Sequence, residues 1–402
     1  MFLIGQAGGR NKMKKAFSIF VYLVVLLLSA CFIYYGNQYI NGHTEDGGMI
    51  MSREEELDTL VFVKIVSLDG ESQDETSSRK IAFTAKTLGY GDGGNKVIHG
   101  YQILNDSTKN TPAVSIGDKI VAMSYGGDYL FQDYYRFDKV AILGFVIAGF
   151  ILLLGGTKGL NTIIALSLTC LSIFFVFIPS IKARYDIYLS TIAICLYIII
   201  ETLIIVYGLS KKSIITALSC TAGVIFSGIV SLFVDKWMKM TGYMNDGTYI
   251  LSTLFGFEVN LKAIMFSMIT IGALGAIMDV SMSVVSPLCE LKESNPKIGA
   301  GELLKYGFSI GRDFMGTMTN TLILAYMGSS MIVVLVYAAY NYPLLSLLNK
   351  EEIVFEFLQS LVGSLGILLT IPLATVAASL VLSGGNEQSQ YLKKSRSRSR
   401  MI

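Results

Sequence analysis

The fold of this chain is limited first by the recurrence of unbroken apolar runs of about 20 residues, the length a helix needs to cross a hydrocarbon core of roughly 30 Å. The runs fall at 16–36, 139–157, 160–179, 187–208, 213–234, 259–285, 314–338 and 354–382. None alternates apolar and polar residues at every second position, so helices rather than barrel strands are predicted. With 52% hydrophobic and 15% charged residues and a mean hydropathy of +0.57, the chain lies outside the usual range of water-soluble proteins. The expected fold class is an α-helical polytopic membrane protein with eight transmembrane helices and the lipid bilayer as its first partner.

One segment has a different grammar. Between 37 and 138 the stretches LVFVKIV (60–66), RKIAFTAKT (79–87), KVIHGYQIL (96–104) and DKIVAMSY (118–125) are short, rich in β-branched and aromatic residues, and separated by Gly, Asn, Asp and Ser. They predict a small antiparallel β-barrel or sandwich. His99 lies in one of them, with no Cys or His neighbour that would make it a metal ligand.

Basic residues orient the chain. Arg10, Lys12, Lys14 and Lys15 precede the first run, and Lys158, Lys211, Lys212, Lys292, Lys297, Lys305, Arg312 and the tail KKSRSRSR fall on the same side of the membrane. Lys182, Arg184, Lys236 and Lys239 fall on the other side, near Asp186 and Asp235. The positive-inside rule then puts both termini in the cytoplasm and the β segment outside. The expected organisation is a basic N-terminus and first helix (1–36), an extracytoplasmic β domain (37–138), a seven-helix membrane domain (139–385) and a basic cytoplasmic tail (386–402). Trp237, Tyr243 and Tyr249 read as an interfacial anchor, and the tail as a contact for anionic lipid. A net charge of +2 gives no sign of a nucleic-acid partner. The five cysteines suggest neither a disulfide framework nor a metal knot.

Within the spans a few polar residues stand out. Gly272, Ala276, Asp279, Ser283 and Ser286 recur at helical spacing and form one small, polar face, expected to turn toward protein rather than lipid. In RDFMGTMTNTLILAY (312–326), Asp313, Gly316 and Asn320 share a face, with Arg312 and Asp313 at the inner mouth. The two spans are predicted to pack as an antiparallel hairpin with Asp279 beside Asn320 and with Gly272, Ala276 and Gly316 allowing close approach. Glu201, in YIIIETLIIVYG (197–208), falls at a similar depth. An acid at depth costs roughly 2.5–3.5 kcal/mol on insertion scales, which makes Asp279 and Glu201 candidate ion-binding groups, with Asn320, Asp313, Arg312 and Ser283 around them. HExxH and Walker A motifs are absent, and GFSIG (307–311), which has GxSxG spacing, finds no histidine in the helical region, the only ones being His43 and His99. No catalytic residue, cofactor or metal is therefore assigned, and the chain is expected not to be an enzyme.

The stretches GALGAIMDVSMSVVSPLCELKESNP (272–296) and ELLKYGFSIGRDFMGTMTNTLILAYMGSS (302–330) resemble the signature of the YibE/F family of bacterial multi-span membrane proteins. The plan of one anchor, an outer β domain and a seven-span body resembles it too. The matching positions are Asp279, Ser281, Glu290, Arg312, Asp313, Gly316, Thr317, Asn320 and Thr321, while Pro287 departs from the commoner pattern and is expected to kink the helix end. The resemblance implies a location in the bacterial plasma membrane and, for activity, at most a permease. No catalytic residues carry over from it.

Two functions follow. One is a proton- or cation-coupled secondary transporter of a small solute or ion, with export slightly favoured. The other is an envelope scaffold or sensor whose outer β domain binds an envelope protein. A homo-oligomer is compatible with both.

Overall fold

The computed structural model describes residues 2–42, 60–73, 78–88, 96–105, 110–125, 127–254 and 259–398. His43, Arg400 and residues 255–258, which figure in the sequence reading, lie outside them. The chain divides into two compact units, Asp46–Gly159 and the remainder.

The first unit holds five strands: β1 (Leu60–Gln73), β2 (Arg79–Thr87), β3 (Val97–Leu104), β4 (Lys119–Tyr125) and β5 (Asp128–Tyr134). They close as a barrel in the order β1-β2-β3-β5-β4. Closure leaves no long free edge, which removes the pairing hazard of a small open sheet. Strand β5 was not expected from the sequence. Its DYLFQDY carries Asp128, Gln132 and Asp133 and buries none of its residues fully, so its hydrophobic pattern is weak. Nor is the barrel wholly antiparallel, because β3 and β5 run parallel and pair only at Gly100–Tyr129 and Tyr101–Leu130. Alternate residues of β1, β2 and β4 fill the core with Val63, Ile65, Ile81, Phe83, Ala85 and Ile120. One polar side chain enters the same core: Gln102 accepts from Val114 N at 2.9 Å and donates to the Pro112 carbonyl at 3.0 Å, so both ends are satisfied.

The helices are α1 (Phe2–Asn41), α2 (Phe137–Lys182), α3 (Ile187–Tyr207), α4 (Lys211–Met238), α5 (Asp246–Leu254), α6 (Leu261–Ser294), α7 (Ala300–Ser329), α8 (Met331–Ala339), the single turn α9 (Leu344–Leu347) and α10 (Glu351–Arg398). Among the described residues six helices are long and apolar enough to cross a membrane, or seven when the bent pair α7 and α8 counts as one span. Local chemistry sets the ends. The Asp186 carboxylate accepts from Leu189 N and opens α3, Gly208 closes it at φ 70°, and the Ser210 hydroxyl, accepting from Ser213 N, opens α4.

One sequence expectation changes here, at 314–338, and two others gain their local form. Helix α2 has 46 residues but is broken at Gly156, whose φ of 54° and ψ of −129° are not helical. A side chain at Gly159 would strike the carbonyl of Ile151, eight residues earlier, where a straight helix would hold the two about 12 Å apart. The chain therefore turns at Gly156, as two separate runs require. The span predicted at 314–338 begins earlier and is bent by 48° between α7 and α8. The Ser329 and Ser330 hydroxyls both return to the Tyr326 carbonyl, at 2.8 and 3.1 Å, beside Gly328; such competition with the backbone is a recognised cause of kinks. Pro287, finally, does not end α6, which runs on to Ser294.

The helical core is built by α3, α4, α6 and α10. Ile194 and Ile198 of α3 meet Cys220 and Val224 of α4 and Leu274 and Ile277 of α6. Val284 and Leu288 of α6 meet Leu303 of α7 and Ala374 and Ala378 of α10. The close approaches are made by glycines the sequence reading did not single out. A side chain at Gly311 would collide with Ile371, one at Gly307 would lie 2.5 Å from Thr375 Cγ2, and one at Gly363 would lie 2.7 Å from Leu322 Cδ2. Thus α7 lies mainly on α10 rather than forming a simple hairpin with α6. Gly316, expected at that hairpin contact, has open space where its side chain would be.

Candidate functional site

Asp279 lies in the middle of α6, and the buried face of that helix is a different one: Ala273, Ile277, Val280, Ser281, Val284 and Leu288. The expectation that the small, polar face turns into protein holds only in part, since Gly272 and Asp279 are exposed while Ala276, Ser283 and Ser286 are half-buried. Apolar bulk decided the matter, because the branched side chains on the opposite face bury more area against α3, α4 and α10. Asp279 has no hydrogen-bond or ion-pair partner among the described residues; Tyr207 of α3 and Cys220 of α4 lie within its electrostatic reach.

Asn320 is likewise exposed, and no hydrogen bond joins it to Asp279. Their depths nonetheless agree. Gly272 faces the Tyr326 hydroxyl and Leu288 faces Gly307, so equal steps along the two antiparallel helices from either contact bring Asp279 level with the segment from Gly316 to Thr319. Arg312, Asp313, Gly316, Thr317, Asn320 and Thr321 are all exposed along α7. Ser283 is half-buried and Ser286 accepts a hydrogen bond from the Lys212 ammonium. Asp279 of α6 and Asn320, Arg312 and Asp313 of α7 are therefore exposed polar residues on neighbouring helices, with no bond among them in the described residues.

Glu201 is elsewhere. It is 2% exposed, and one carboxylate oxygen accepts from the Thr202 hydroxyl at 3.2 Å while the other has no partner. Around it stand Thr169 of α2 and Tyr197, whose ring stacks on Phe32 of α1 at 4.5 Å. Tyr207, the neighbour of Asp279, is six residues farther along α3, about 9 Å along its axis. The two acids form two sites.

The structure adds polar groups that the sequence reading passed over. Thr216, Ser219, Gly223, Ser227, Ser231 and Asp235 recur every three or four residues along α4 and face its neighbours in the core. Ser219 and Ser281 share a 2.5 Å hydroxyl contact between α4 and α6. Thr216, Ser227 and Ser231, with Thr270 of α6, are at most 1% exposed and have hydroxyls without partners, each an omission worth about 1–3 kcal/mol if left dry. The spacing itself was the available signal; it was obscured because serine and threonine are unremarkable in membrane helices. At the far end of α4, Asp235 pairs with Lys262 at 3.5 Å, and the Glu351 carboxylate accepts from Thr241 N and Gly242 N at 2.7 Å. Among the described residues no group of three His, Cys, Asp or Glu could hold a metal ion.

No curated protein and no solved structure matches the chain. The family model described as YibE/F-like protein does match, over residues 143–384, which takes in Glu201, the α4 hydroxyls, Asp279 and Asn320 and more than half of the sequence. The chain belongs to the YibE/F-like family.

Proposed function

We propose that this protein is a multi-span protein of the bacterial plasma membrane that moves a small solute coupled to a proton or another cation, with Asp279 as the ion-binding group. It is read as a transporter rather than an enzyme. The observation that carries the reading is the exposed polar residues of α6 and α7. Asp279 and Asn320 lie on helices otherwise apolar enough to span a membrane, with no hydrogen-bond or ion-pair partner among the described residues and with open space at Gly275 and Gly316. Lipid supplies no hydrogen bonds, so such residues call for water and a solute. Eight spans follow if α2, about 69 Å long at 1.5 Å per residue, crosses twice and α7 with α8 crosses once. Both termini then lie in the cytoplasm with the barrel outside, and export is the favoured direction.

The alternative, an envelope scaffold, is supported by a cleft of about 430 Å³ at the β3–β5 seam of the barrel, lined by Lys96, His99, Asp128 and Tyr129. Flux of candidate solutes into proteoliposomes under an imposed proton gradient separates the two. Asp279→Asn keeps the side-chain volume and is expected to abolish gradient-driven flux while leaving the fold intact. Flux indifferent to that change ends the assignment of Asp279, and no flux of any candidate favours the scaffold.

A further inference from the structure

The buried hydroxyls of the helical core fall into two groups, and those without partners among the described residues are not confined to α4, since Ser364 and Thr375 of α10 are among them. Thr191, Ser219, Ser267 and Thr370 each donate to the backbone carbonyl four residues earlier, the ordinary refuge of a hydroxyl in an apolar helix. Thr216, Ser227, Ser231 and Thr270 make no hydrogen bond, although they are at most 1% exposed. The three on α4 share one face. From Thr216 to Asp235 that face covers 19 steps, about 28 Å, close to the full thickness of a hydrocarbon core. Ser227 and Ser231 are about 6 Å apart along the axis, the reach of one bridging water with two hydrogen bonds. Each end of the row meets charge: Asp235 with Lys262 at one end, and at the other Ser219 and Ser281 beside Cys220, within reach of Asp279.

The middle of the row is a neck. Ile277, itself 0% exposed, reaches from α6 between two glycines, with Cγ2 3.1 Å from a side-chain position at Gly223 and Cδ1 2.9 Å from one at Gly366. Ser227 Oγ stands 3.4 Å from the same position at Gly366. Glycine on both flanking helices lets Ile277, together with Thr370 of α10, whose hydroxyl lies closest to the same position at Gly223, separate the two halves of the row.

We propose that the α4 row binds a file of water molecules across the α4–α6–α10 core, interrupted at Ile277, which joins the Asp235 end to the Asp279 end. Water is the ligand that fits, because each hydroxyl both donates and accepts and the row itself contains no charge. On either side of Ile277 a proton passes between neighbouring oxygens, each accepting one proton and releasing another before its water turns back, and transfer between the two halves requires the Ile277 side chain to move aside. The inference rests on reading these helices as membrane-spanning, and it deepens the transport reading by giving Asp279 a route to the opposite side.

Hydroxyl-radical footprinting of the whole protein in lipid nanodiscs tests it, because radicals formed from bound water mark the side chains beside them. Ile277 is expected to be modified several-fold faster than Ile120, an equally buried isoleucine in the barrel core. Thr216→Val combined with Ser227→Ala and Ser231→Ala is expected to bring Ile277 down to the Ile120 rate. Equal rates in the unaltered protein overturn the proposal without recourse to any variant. Gradient-driven flux measured on the same preparation separates the two ideas. Labelled Ile277 without flux upholds the water file and removes the transport reading, whereas flux with unlabelled Ile277 removes the file alone.

Discussion

Ser219 and Ser281 meet hydroxyl to hydroxyl at 2.5 Å, and through them α4 is bonded to α6. Truncating either leaves the other with a poorer partner. Ser281→Ala is expected to lower stability by about 1 kcal/mol, and the double change Ser219→Ala with Ser281→Ala by less than the sum of the two, with a coupling of about 0.6 kcal/mol. Reversible unfolding in mixed micelles measures both; strict additivity would show that the contact has no energetic meaning.

The glycines of α7 divide by what lies above them. Gly311→Ala pushes a methyl into Ile371 and is expected to cost about 1–3 kcal/mol, whereas Gly316→Ala meets open space and is expected to be neutral or to stabilise the helix by about 0.5–1 kcal/mol. Thermal unfolding in detergent compares the pair. Equal losses at both positions contradict the packing of α7 on α10.

Glu351 clamps the connection after α4, accepting from Thr241 N, Thr241 Oγ1 and Gly242 N. Glu351→Gln keeps the shape but weakens charge-assisted bonds that are partly open to water, so the expected loss is about 1–2 kcal/mol. It is read most directly as faster tryptic cleavage at Lys236 and Lys239. An unchanged cleavage rate would leave the clamp without a role.

The barrel is expected to be acid-sensitive at several carboxylates, Glu71 beside Arg79 and Asp133 beside Arg136 among them, and Asp69 is the one held by hydroxyls. Hydrogen bonds from Thr84 and Ser67 hold the Asp69 carboxyl below its ordinary value of 3.8. A depressed folded-state value stabilises above the ordinary one and is lost as pH falls through the folded one. Amide protection in β1 and β2 is therefore expected to weaken below about pH 4, and Asp69→Asn to lessen that pH dependence. Hydrogen exchange of the full chain, corrected for intrinsic rates, is the measurement; a variant that keeps the same pH profile refutes it.

The sequence was legible where one force acts alone. Runs of Ile, Leu, Val and Phe mark the apolar helices, and β-branched stretches between Gly and Asp clusters mark four of the five strands, because burial of one repeating face leaves a period that can be read directly. Strand β5 was missed because its partners rather than its own side chains hold it in place. The acids were found for the same reason that they matter, since a charge among apolar residues is conspicuous. Their neighbours were not. Whether the Asp279 face or the Ile277 face of α6 turns inward depends on summed contact area with three other helices, and no local spacing contains that sum. The depth shared by Asp279 and Asn320 was readable from helix geometry, while the wedge of α10 beside α7 was not.

The bend at Ser330 has a mechanical consequence. Helix α8 is nine strongly apolar residues, none fully buried, held to the chain at Tyr337, whose hydroxyl donates to Glu352 at 3.3 Å, and at 1.5 Å per residue it is about 13 Å long, less than half the thickness of a bilayer core. If the helices span a membrane as proposed, acyl chains cover the rest of α8, and its tilt would follow membrane thickness as a float follows the water level. Thicker bilayers draw α7 and α8 toward a straight rod, thinner ones fold them. A distance label spanning Tyr326 and Tyr340, read in nanodiscs of graded acyl-chain length, should lengthen with the membrane, making lipid composition a control on the polar surface of α7.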